Sequence, residues 1–135
     1  MSKPAGRATG TITVTSYTPT PYEQPENGVS LVEIHVTEEF AGDLQGTGVV
    51  RFLQALGADG SASFCGIERF SGALGGMHGT FLLQDSGTVD GQSVRGTWFV
   101  VPGSGTGELT GLRGDGGFEA DLGAGAHVWL DYRFE

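Results

Sequence analysis

Thr97-Trp98-Phe99-Val100-Val101-Pro102-Gly103-Ser104-Gly105-Thr106-Gly107-Glu108-Leu109-Thr110-Gly111-Leu112-Arg113-Gly114 decides the fold. A strand runs into Pro102, where the ladder donor is lost. A glycine-punctuated loop follows, and order resumes beyond it. Such a loop invites a test as a phosphate cradle. A Walker A loop needs a lysine after its last glycine, and none is present here. A dinucleotide fingerprint needs glycines leading into a helix, and no helix is evident. Glu108 would also repel phosphate. Ser104 and Thr106 lack the Gly-x-Ser-x-Gly spacing of a nucleophile elbow. The glycines are therefore predicted to serve geometry, either positive φ or close strand approach.

Working outward, Gly79-Thr80-Phe81-Leu82-Leu83 echoes Gly96-Thr97-Trp98-Phe99-Val100 at hairpin scale, with Asp90-Gly91 as the turn between them. Period-two alternation recurs over Thr9–Thr15, Leu31–Phe40, Gly46–Leu56, Ser61–Phe70, Gly117–Asp121 and Ala126–Phe134. Ala41-Gly42-Asp43, Asp59-Gly60 and Gly75-Gly76 mark further turns. Tyr17 to Gly28 carries three of the five prolines, so it is predicted as a loop, either a lid or a simple crossover. With 25 glycines and no sustained 3.6-residue apolar period, helices are not expected. The fold class is all-β, with eight antiparallel strands in an up-and-down barrel or a sandwich. Closure removes exposed edges that this lysine-poor chain would otherwise leave unprotected, which favours the barrel. Residues 1–7 are predicted as a flexible arm and residues 8–135 as one barrel domain.

The remaining composition narrows the function classes. A chain of 135 residues buries about two-thirds of its unfolded surface, enough for one core. The net charge of −9 disfavours nucleic acid and anionic membranes as partners. No segment has the length of a membrane helix, and the N-terminus lacks a signal-peptide apolar run. Cys65 is the single cysteine, which fits a reducing cytoplasm, the predicted location. His35, His78 and His127 lack metal-type spacing, so neither a metal nor another cofactor is expected.

An eight-stranded barrel has room for packed side chains or one small ligand. Phe64, Phe81, Trp98 and Leu130 are large inner residues; Ala62, Gly66 and Gly96 are small. The small ones let bulky neighbours interdigitate or leave a cavity. Glu68 shares the inner face with Phe64 and Phe70. In an apolar interior its pKa rises and it becomes a catalytic acid or base. Alternatively it pairs with Arg51 or Arg113. Asp85 follows Phe81 and Leu83 on one face and is expected at the rim, because Ser86-Gly87 reads as a strand end. Trp98 is a stacking wall or plain core. Tyr132 could orient a ligand, and Tyr22 lies on the loop that would cover the mouth. Trp129 points outward and marks a candidate interface for a homo-oligomer.

Three runs carry a family resemblance: Ala62 to Phe70, Phe81 to Gly87, and Val101 to Gly114, the last containing Val-Pro-Gly-Ser-Gly-Thr-Gly-Glu-Leu. They resemble a bacterial family of unknown function that is itself similar to allene oxide cyclase and other small calycin-like barrels. The resemblance spans Ala8 to Glu135 and implies an eight-stranded barrel with a central cavity. Members of the broader barrel group cyclise or isomerise hydrophobic polyene or polyketide-like substrates. No catalytic residue transfers by position. The functions in play are a cyclase or isomerase of a small hydrophobic substrate, a non-catalytic binder of such a ligand, and a filled barrel acting through oligomerisation.

Overall fold

The computed structural model describes residues 3–121 and 125–135. Eight strands form a closed barrel in chain order: β1 Gly6–Glu23, β2 Ser30–Gly42, β3 Leu44–Leu56, β4 Ala62–Leu74, β5 Met77–Asp90, β6 Ser93–Val100, β7 Leu112–Asp121 and β8 Ala126–Phe134. Every neighbouring pair is antiparallel, and β8 returns to β1 through Gly6–Ile12. One short 3₁₀ turn, Gly107–Leu109, is the only helical piece among the described residues.

Alternation along each strand sends one face inward. At one end the interior is solid. Phe40, Leu44, Phe70, Leu74, Phe81, Leu112 and Leu130 pack there around Leu109, which is fully buried and plugs the barrel. Each such side chain contributes roughly 2–3 kcal/mol on leaving water. A second apolar cluster, Val32, Ile34, Val36 and Val50, lies on β2 and β3 toward the other end. Inner glycines receive aromatic rings: a Cβ on Gly96 would meet Phe118, one on Gly87 would meet Phe64, and one on Gly66 would meet Phe52. The small inner positions therefore let rings interdigitate.

The stretch after Pro102 closes the solid end. β6 pairs with β5 only over Leu83–Asp90, so β5 from Met77 to Leu82 has no strand on that side. The loop takes that place. Val101 N–H donates to Leu82 O and Thr106 N–H to Thr80 O, each at 2.9 Å. In return Ser104 Oγ, Thr106 Oγ1 and Glu108 Oε1 accept the amides of Leu82, Thr80 and His78, each at 3.0 Å. Alternate side chains thus replace a missing strand's carbonyls. The glycines between them permit the approach, since a Cβ on Gly105 would strike Leu109 O and one on Gly79 would strike Thr106 O. Gly103, at φ +80°, makes the turn after Pro102.

Two expectations are corrected. Tyr17 to Glu23 is strand, not loop: Tyr17, Pro19 and Pro21 pair with Val36, Ile34 and Val32. Among the described residues, β1 beyond Ile12 pairs with β2 alone. Proline is tolerated on such an edge strand because its missing N–H can face away from the ladder. The N-terminal arm is shorter than expected. β1 begins at Gly6, and Lys3 Nζ donates to the carbonyls of Glu108 and Thr110 while lying over the Phe134 ring.

Candidate functional site

Opposite the solid end, the interior opens into a cavity of about 600 Å³. Its walls are Phe64, Val89, Val94, Trp98, Phe118, Ile34, Val36 and Phe52. Thr13, Val14 and Tyr17 from the part of β1 that pairs with β2 line one side, and Asp121 and Gly125 also contribute. Aromatic contacts run continuously down the wall. Phe52 meets Phe64 at 5.1 Å between centroids, Phe64 meets Phe118 at 6.1 Å, and Phe118 meets Trp98 at 5.2 Å. Trp98 then reaches Phe40 at 6.5 Å, inside the solid core. Its indole N–H donates to Trp129 O at 3.0 Å, so the ring is locked. Trp98 is therefore both core and wall.

The floor is acidic. Glu38 on β2, Glu68 on β4 and Asp85 on β5 all line the cavity. Their exposures are 8%, 1% and 2%. Gly48 makes the space, since a Cβ there would strike Glu68 Oε2 and crowd Phe40. Neither arginine considered as a partner reaches Glu68: Arg51 pairs with Glu33 at 3.4 Å and Arg113 with Glu135 at 3.2 Å. Glu68 Oε2 and Asp85 Oδ1 are buried with no hydrogen-bond donor facing them.

Burial without a counter-charge sets the protonation. Desolvation pushes Glu68 well above the usual carboxylate range. Donation of its one proton to Glu38 or to Asp85, and the charges of those two groups, push the same way. Desolvation and the charge of Glu38 raise Asp85 to about 8, against a lowering from the Glu68 hydrogen bond. Glu38 is raised by desolvation and lowered in part by its bond with Glu68. Glu68 is thus the central proton holder, with an acceptor on either side.

The structure brings Glu68, Asp85, Phe64 and Trp98 together. Asp85 lies on the floor instead of the rim, because β5 continues through Ser86-Gly87 to Asp90. Phe81 is fully buried in the solid end against Phe70, outside the cavity lining. Tyr132 packs against Phe134 near Gly6 and Gly75, at the solid end. Tyr22 is exposed and does not line the cavity; Tyr17 does. A register shift between Val14 and Ser16 reverses which parity faces inward and puts Tyr17 in line with Val36. Glu38 escaped the sequence reading, although the alternation Val32, Ile34, Val36 continues directly into it. Trp129 is half-buried on the outer face, its ring over Gly117.

Fold and site define a class: closed eight-stranded antiparallel barrels, sealed at one end, with an aromatic cavity over buried carboxyls at the other. The chain belongs to the family described as protein of unknown function (DUF3224), whose model matches residues 8–132. A crystal structure of a DUF3224-family protein of unknown function from Shewanella oneidensis MR-1 is similar, with a TM-score of 0.78 and 31% identity over 98% of this chain and 99% of that one. No curated protein matches the chain. Among the described residues, no helix is long and apolar enough to cross a membrane.

Proposed function

We propose that the protein binds a small apolar molecule in this cavity and transfers a proton to or from it at the floor, as an isomerase or cyclase of hydrophobic substrates. The observation that carries this reading is Glu68, a buried carboxyl without a cation, at the base of an open apolar cavity. A carboxyl held protonated near neutral pH is an effective general acid. Glu38, where the hydrogen bond with Glu68 opposes the effect of desolvation, offers the complementary base. Phe64, Phe118 and Trp98 give flat faces that fold a flexible chain into one conformation and exclude water. The resemblance of the sequence to allene oxide cyclase-type barrels points to the same class by analogy of fold alone.

The test is deuterium transfer. Apolar polyenes and β,γ-unsaturated ketones are incubated with the protein in D₂O, and C–H exchange or double-bond migration is followed by NMR. Glu68→Gln keeps the shape of the side chain and removes its acid. It is expected to slow exchange by about 10²–10⁴-fold. An unchanged rate in that variant removes Glu68 from the chemistry. Tight binding with no exchange in the unaltered protein leaves a non-catalytic binder.

A further inference from the structure

The chain places three buried carboxyls on the floor of its cavity and all of its bases outside. There are seven Lys and Arg residues. Arg51, Arg69, Arg95 and Arg133 are exposed, each with the outward parity of its strand. Arg7 pairs with Asp131 at 2.7 Å, Arg113 pairs with Glu135, and Lys3 caps the 3₁₀ turn. All three histidines are exposed. Nothing among the described residues neutralises the floor.

That imbalance is costly for the free protein. A carboxyl that ionises there has no counter-charge, and a buried acceptor without a donor forfeits its hydration. Glu68 Oε2 and Asp85 Oδ1 are both such acceptors, on side chains that line the cavity. A guest that donates hydrogen bonds and carries positive charge relieves both penalties at once. Metal ions fit poorly, since no three ligating side chains among the described residues are arranged to hold one. The walls supply rings instead of oxygens, and rings favour an organic cation.

We infer that the cavity takes an organic cation: a small apolar molecule with one protonated nitrogen. Its N–H groups bond Glu68 Oε2 and Asp85 Oδ1, and its body lies along Trp98, Phe118 and Phe64. The inference rests on the reading of the cavity as a small-molecule site and names what that site prefers. Three carboxyls hold one cation and still keep a proton for transfer. Anionic ligands are rejected by the same floor.

Three probes with one body and different heads test this: 2-naphthylmethylamine, 2-naphthalenemethanol and 2-naphthoic acid. Their binding to the full chain is measured by calorimetry near neutral pH, at moderate salt so that the acidic surface is screened. The amine is expected to bind about ten- to hundredfold more tightly than the alcohol, and the acid most weakly. In the isosteric double variant Glu68→Gln/Asp85→Asn the advantage of the amine over the alcohol is expected to disappear. An alcohol that binds as tightly as the amine to the unaltered protein overturns the cation preference and leaves the cavity reading standing. So does an amine preference that survives in the double variant, since it then comes from the surface. If none of the three binds, both readings fall. Should the double variant not fold, Glu38→Gln is the replacement, with the amine preference again expected to shrink and its persistence counting against the inference.

Discussion

The two ends of this barrel treat buried polar groups in opposite ways. At the sealed end, β5 has no β6 partner before Leu83, and Ser104, Thr106 and Glu108 supply the missing acceptors one by one. At the open end, Glu38, Glu68 and Asp85 converge with no cation, and two of their oxygens have no donor. The first arrangement is complete in itself and contributes stability. The second leaves buried acceptors without donors and any ionised carboxyl without a counter-charge, and buried polar groups of that kind cluster at functional sites. The fold holds one because it has the other: a solid core around Leu109 supplies stability that an open, acid-floored cavity consumes.

The largest expected effect tests that division. Leu109→Ala removes the plug from a site with 0% exposure and is expected to cost about 2–5 kcal/mol in denaturant unfolding. Phe64→Ala, at a half-buried cavity wall, removes a larger side chain and is expected to cost only about 1–2 kcal/mol. Equal losses would mean that the open end carries as much of the core as the sealed end, and the comparison would fail.

The next effect is a pH dependence of the open end. Glu38, Glu68 and Asp85 all have folded-state pKa values raised above their unfolded ones, Asp85 to about 8. The folded protein therefore binds more protons than the unfolded chain, and stability falls as pH rises. This contribution is intact below about pH 4, where the unfolded carboxyls are also protonated. It is lost progressively as pH climbs through about 8. Asp131 and Asp59, with lowered values, act in the opposite direction but lie on the surface, where solvent screens them. Asp85→Asn is expected to flatten the fall and to stabilise the protein by on the order of 1–3 kcal/mol at mildly alkaline pH. A variant as pH-sensitive as its parent would show that Asp85 has a partner or enough water.

How legible each end is in the sequence follows from the range of its interactions. Alternation is local, so the strands, the barrel and the inward direction of Glu68 could all be read from the chain. The same alternation reaches Glu38 and needed only to be followed one step past Val36. The bulge near Thr15 could not be read, because it depends on pairing with Thr37, whose Oγ1 lies 2.8 Å from Thr15 Oγ1 and 2.6 Å from Ser16 Oγ. That bulge is why Tyr17 and not Tyr22 lines the cavity. Prolines 19 and 21 suggested a loop because proline interrupts a ladder, yet an edge strand has one side without a ladder. Asp85 looked terminal because Ser86-Gly87 resembles a strand end. Glycine there instead receives the Phe64 ring, a contact between β4 and β5 that no local pattern contains.

The smallest effect concerns the substitute ladder along β5. Ser104 is half-buried, whereas Thr106 and Glu108 are exposed. Ser104→Ala leaves the Leu82 amide short of its acceptor where water has limited access, at an expected cost of about 1 kcal/mol. Thr106→Val removes the acceptor for Thr80 N–H, and Glu108→Ala that for His78 N–H, at exposed positions where water substitutes; each is expected to cost less than Ser104→Ala. Amide hydrogen exchange resolves what bulk stability cannot. Each variant is expected to accelerate exchange chiefly at its own partner, Leu82, Thr80 or His78, in local openings short of global unfolding. If all three amides accelerate together in any one variant, the loop docks as a single unit, and Leu109, not the alternating side chains, holds it against β5.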